Sequence, residues 1–151
     1  MADGLSIAAS VAGLIHVAEK VIRFISTMTD ASSTTRSVLA EVHAFHAIFH
    51  QLQDFISNFS EGSEARKSRI YVDQVVTILA GCVCAFSELE KELETLKTDG
   101  SSSSGLNAWD SAKWARKYQN LGRILAELQR HKSSLNLMLS VYTWYITTYI
   151  S

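Results

Sequence analysis

The sequence predicts an all-α fold, an antiparallel bundle of four or five helices, on three observations. Apolar residues recur with a period near 3.6 along almost the whole chain, and no period-two stretch competes. None of the 151 residues is proline, so nothing removes a backbone donor or clashes with a preceding turn. The segments between the periodic runs are short and polar, as connections between bundle helices are. At 47 % apolar and 19 % charged residues the composition suits one globular domain over 1–151 with a single core.

Asp3 is placed to cap a first helix running to about Met28. At 100° per residue, Leu5, Ile7, Val11, Leu14, Ile15, Val17, Val21, Ile22, Phe24 and Ile25 cover about half of its cylinder. The other face carries Glu19, Lys20 and Arg23 only in the last turns. Before them it holds Ser6, Ala9, Ser10, Ala12 and Gly13, which are small rather than charged. Asp30 to Thr35 reads as a turn with capping residues for a second helix to about Asn58, whose Val38, Val42, Phe45, Phe49, Leu52 and Ile56 alternate steps of four and three. A polar turn containing Gly62 precedes a third helix over about Arg66 to Lys97. Its stripe is Val72, Val75, Leu79, Cys82, Phe86, Leu89, Leu93 and Leu96. Thr98 to Gly105 is a serine-rich flexible loop. From Trp109 the pattern resumes with Trp114, Tyr118, Leu121, Leu125, Leu128, Leu135, Leu139 and Tyr142. Lys132, Ser133 and Ser134 interrupt it, so one kinked helix and two consecutive helices both fit.

The residues for chemistry are few. A net charge of −1 removes the general electrostatic case for nucleic acid. Neither a phosphate-cradling nor a dinucleotide-binding glycine motif is present, nor a Cys-x-x-Cys pair, and neither an enzyme nor a cofactor is expected. Cys82 and Cys84 point in different directions on a helix, which speaks for reduced thiols rather than a disulfide. His43, His46 and His50 fall within about 60° of one another, with Asp54 one turn on, and such a set could ligate zinc. Each histidine directly follows a core residue, however (Val42, Phe45, Phe49). Imidazoles belong at that border without a metal, and no metal site is expected. Asn58-Phe59-Ser60 matches a glycosylation sequon that has no meaning in a cytosolic chain.

Two features point toward membranes. Gly4 to Ala18 carries no formal charge, which is about 22 Å of helix against a hydrocarbon core of roughly 30 Å. It is too short for a confident permanent span, and it lacks the basic leader of a secretory signal. Gly4, Ala8 and Ala12, and likewise Ala9 and Gly13, fall at steps of four, the small-xxx-small spacing that lets helices approach closely in lipid. The plainer account is a bundle helix crowded by its neighbours. The second feature is a row of Arg116, Arg123 and Arg130 every seven residues, expected to point outward, with Lys113 and Lys117 beside it. Such a row can draw a bundle to anionic lipid or simply be a solvated face. Ser133 to Ser151 also lacks charge and is expected to be the final bundle helix, with a membrane-active or aggregation-prone tail the weaker alternative.

The opening Gly4-Leu-Ser-Ile-Ala-Ala-Ser-Val-Ala-Gly-Leu-Ile15 resembles the start of the HeLo-like domain found at the N-terminus of fungal NLR and STAND proteins. Leu128-Gln-Arg-His-Lys-Ser-Ser-Leu-Asn-Leu-Met-Leu-Ser-Val141 resembles that family's closing helix. The family is similar to the four-helix executioner domain of the mixed-lineage-kinase-like pseudokinase and to plant coiled-coil resistance domains. The resemblance implies a cell-death effector that an upstream NLR or amyloid-signalling partner oligomerises, and that moves from the cytoplasm to permeabilise the plasma membrane. Carried over by position, insertion falls to Gly4, Leu5, Ile7, Val11, Gly13, Leu14 and Ile15. Contact with anionic membrane lipids falls to Lys113, Arg116, Lys117, Arg123 and Arg130. On this view the chain is the N-terminal part of a longer receptor or effector. The rival expectation is a non-lytic module of such a receptor, a bundle that only self-associates or docks a helical partner.

Overall fold

Four helices follow one another in the computed structural model: α1 (Gly4–Ser26), α2 (Ser33–Phe59), α3 (Ser68–Asp99) and α4 (Ala108–Tyr149). The structure describes residues 4–28, 32–59, 68–99 and 108–149, and within them the side chains of 7–28, 32–57, 73–96, 115–144 and 147–148. Among the described residues there is no strand. The expected Asp3 cap, the Asp30 end of the first turn, the Gly62 turn and the 100–105 loop lie outside them.

Local chemistry sets the visible ends. Ser32 caps α2: its Oγ accepts from the Thr35 backbone N–H at 3.1 Å, and its carbonyl accepts the first intrahelical bond, from Arg36, at 3.0 Å. At the end of α1, the N–H groups of Thr27 and Met28 turn back to the carbonyls of Phe24 and Ile25 at 3.2 and 3.0 Å. These tighter bonds use carbonyls that the helix end would otherwise orphan.

The helices stand at the corners of a square. α1 neighbours α2 and α3, α4 neighbours α2 and α3, and among the described residues the two diagonals have no close backbone approach. Cross-helix pairs give the directions. Glu92, Glu88 and Gly81 on α3 meet Asn120, Arg123 and His131 on α4 in opposite order, so those two run antiparallel. Glu41 and Phe55 on α2 meet Lys132 and Tyr142 on α4 in the same order, so that pair runs parallel. The four helices therefore run up, down, up and down, with the consecutive α2 and α3 standing on a diagonal of the square. The centre of that diagonal is aromatic. Phe45 meets Phe86 edge-on at 5.4 Å and Phe49 at 5.4 Å, and all three rings are fully buried.

The α4 stripe differs from the expected one. Its buried seam runs Lys117, Leu121, Ile124, Leu128, Leu135, Met138 and Tyr142, steps of four and three with half-buried His131 in the gap, while Tyr118 is exposed. Two seam positions hold basic residues, which concealed the register. At one of them the His131 ring lies against Gly81 of α3, where an added Cβ would stand 2.5 Å from its Cε1. α4 is also unbroken. The hydroxyls of Ser133 and Ser134 donate to the carbonyls of Gln129 and Arg130 one turn back, at 3.0 and 3.2 Å, so they stay within the helix instead of ending it.

Cys82 and Cys84 are both free thiols, the first buried in the core and the second exposed. Burial pushes the Cys82 thiol up to about 12, so at pH 8 it stays protonated and inert in the folded protein. A maleimide or disulfide reagent is expected to label Cys84 alone in the native state and both residues after denaturation, read by intact mass. Native labelling at Cys82 would contradict the placement of the α3 seam.

Candidate membrane-facing surface

α1 presents two unlike sides over its first turns. Ile7, Val11, Leu14, Ile15 and Ala18 are buried against α2 and α3. Ala9, Ser10, Ala12, Gly13 and His16 face outward, and the first charges on that side are Glu19 and Lys20. At Ala9, Ala12 and Gly13 the expected crowding by a neighbouring helix is not seen, while Ala8 is half-buried. A Cβ at Gly13 would meet nothing within 4 Å, and Ala9 and Ala12 lie beside it in solvent. Gly4 and Leu5 lie in the helix, but their side chains fall outside the described ones. No helix among the described residues is long and apolar enough to cross a membrane.

The expected basic row is only partly available. Arg116 and Arg130 are exposed. Arg123 is exposed too, but its guanidinium donates to Glu88 of α3 at 2.8 Å and to Glu127 of its own helix at 3.0 Å, and the Glu88 hydrogen bond holds it above its ordinary pKa. Lys117 departs from the expectation. It occupies the α3–α4 seam at 9 % exposure, with its ammonium donating to the Thr95 carbonyl at 3.2 Å, so this conformation does not offer it to lipid. The side chain of Lys113 lies outside the described ones. Acidic residues of α3 thus interleave with the row, because α3 and α4 pack antiparallel with Glu88 opposite Arg123.

The histidine stripe is rearranged as well. His46 and His50 turn their Nε2 atoms to within 3.3 Å of each other, and Glu19 of α1 brings an Oε1 to 3.3 Å from His46 Nε2. His43 and Asp54 are exposed and stand outside this group. Glu19 could not be paired with these histidines from sequence, since the register of α1 on α2 brings them together.

One further surface escaped the sequence reading. Leu137, Val141 and Trp144 are exposed at 68 %, 42 % and 64 %, and they repeat at steps of four and three on α4. Around them Ser140, Thr143, Thr147 and Thr148 donate their hydroxyls to carbonyls one turn back. The signal was the heptad spacing of these three residues within a charge-free run. A comparison with protein-family models, with curated proteins and with solved structures finds nothing that matches this chain.

The two adjacent cations of α4 are expected to respond differently to substitution. Lys117→Glu places a carboxylate against the Thr95 carbonyl and destabilises the fold by about 1–3 kcal/mol, whereas Arg116→Glu stays within about 0.5 kcal/mol of wild type in denaturant titrations. Equal costs at the two positions would place both on the surface.

Proposed function

We propose that the chain is a membrane-targeting cell-death effector domain of the HeLo-like kind, at rest as a bundle, that oligomerises and permeabilises the plasma membrane through α1. Its partners are further copies of itself, anionic lipids, and an upstream NLR or amyloid-signalling protein that triggers the change. The supporting observation is the two-sided character of α1. Its inner stripe is apolar and its outer face is small and uncharged, so a helix freed from α2 and α3 has no charge to desolvate between residues 4 and 18. One charge in that stretch would oppose entry by about 2.5–3.5 kcal/mol at the bilayer centre. The uncharged length falls short of the hydrocarbon core, so entry calls for several copies acting together. Arg116 and Arg130 supply the remaining attraction to anionic headgroups.

A second reading has its own support. The exposed Leu137, Val141 and Trp144 row suits a non-lytic oligomerisation or adaptor module that docks a helix without lipid.

Gly13→Glu separates the two. The site is open, and replacing a mid-helix glycine removes a penalty of roughly 0.5–1 kcal/mol, so the variant folds at least as well as wild type. It nevertheless puts a charge on the face that must enter lipid. With oligomerisation forced by a fused inducible dimeriser, wild type is expected to release dye from anionic vesicles and Gly13→Glu to release little. Equal release would remove α1 from the mechanism. Oligomers without any release from wild type would leave the adaptor reading standing.

A further inference from the structure

We propose that Glu19 of α1 with His46 and His50 of α2 forms a divalent-metal site of the zinc type that clamps the first two helices together. The inference goes beyond the membrane reading and stands without it.

The distances come first. Two ligand atoms bound to one tetrahedral zinc ion at about 2.0–2.1 Å lie about 3.3 Å apart. The His46 Nε2–His50 Nε2 and His46 Nε2–Glu19 Oε1 separations are both 3.3 Å, two edges of such a tetrahedron. All three ligand atoms lie within 4.8 Å of one another, and the half-exposed Glu19 carboxylate closes the third edge by rotating. The histidines are four residues apart on one helix face, and their rings stand at 78° with centroids 4.6 Å apart, which turns both Nε2 edges to one point.

Hydrogen bonding accounts for the cluster poorly. An imidazole Nε2 has one in-plane site, either an N–H or a lone pair. His46 Nε2 therefore cannot donate to Glu19 and also accept from His50. Its best alternative is one proton shared between two acceptors, both beyond the usual 2.7–3.2 Å range. A single cation uses all three lone pairs at once.

The ligand set selects the ion. Two imidazoles and one carboxylate suit zinc and its late-transition neighbours, whereas magnesium and calcium prefer oxygen shells. The outward side, where His50 is exposed, leaves a fourth position for water.

Metal-free protein, stripped by chelator, is dialysed against Zn2+ and separately against Co2+. Wild type is expected to take up about one equivalent at micromolar free metal, to melt at a higher temperature when loaded, and to give the visible absorption of tetrahedral Co2+. His50→Ala and Glu19→Gln each weaken uptake by about tenfold or more, at least the loss expected of an outer-shell partner. His43→Ala binds as wild type does, since that exposed histidine on the same helix stands outside the group. All three substitutions are at exposed positions, and helicity by circular dichroism checks that each variant folds. The proposal is overturned by no saturable uptake in wild type, by Glu19→Gln binding like wild type, or by His43→Ala losing as much as His50→Ala.

Discussion

The fully buried phenylalanine cluster at the centre of the square is the contact that the rest of the bundle is built around. α2 and α3 face each other across a diagonal where their backbones do not approach, and Phe45, Phe49 and Phe86 fill that gap. Leucine at these positions would leave the middle of the square short of volume. A buried phenylalanine cut back to alanine forfeits about 3–5 kcal/mol, a large part of the stability of a domain this size. With the diagonal filled, each helix has two flanks to cover, and the three–four spacing of its apolar residues covers them.

Charges then select among the ways four such rods can slide. Lys20 meets Glu90 at 2.7 Å, Arg123 meets Glu88 at 2.8 Å, and Lys132 meets Glu41 at 2.7 Å, one pair on each of three different helix contacts. Exposed pairs such as the first two contribute little to stability in water. Glu94 and Glu92 stand one turn from Glu90 and Glu88 on α3, so a one-turn slip can re-form the first two pairs; Glu41 has no such neighbour on α2, so its pair is the one that marks register. The Glu41–Lys132 pair is the more buried, with side-chain exposures of 13 % and 28 %, and it lies where α4 would otherwise have been read as interrupted.

The legibility of this chain follows from the same physics. An all-α bundle of four or five helices and most of the α2 and α3 stripes could be read directly, because every third or fourth residue there is plainly apolar. The α4 stripe could be read only in part. Its seam contains Lys117 and His131, a polar residue at each of two inward positions, so the apolar count favoured a neighbouring line through Tyr118 and Leu125. Which α1 face turns inward was legible; whether its small face met a helix or water was not, since alanine and glycine suit both. The approach of Glu19 to His46 and His50 depends on how two helices align, and no periodicity within one helix contains that.

The energetics of α1 limit how an effector built this way can act. Ile7, Val11, Leu14 and Ile15 alone are worth about 1.5–3 kcal/mol each when removed from water, on the order of 10 kcal/mol together. That is comparable to the whole stability of a small domain, so α1 does not leave the bundle for water as a fluctuation. Two surfaces must find cover in the same event, the stripe of α1 and the groove it vacates on α2 and α3. On the proposed function lipid would cover the first, since the outer face of α1 adds no charge before Glu19. Lipid would not reach the second while the remaining helices stay folded, so the proposed effector needs another copy of the chain to cover it. On the proposed function, release and oligomerisation would be one transition, and an upstream partner would act by raising local concentration. A contact that ties α1 to α2, such as the Glu19 cluster, would raise the threshold that concentration must overcome, whereas the exposed Lys20–Glu90 pair adds little to it.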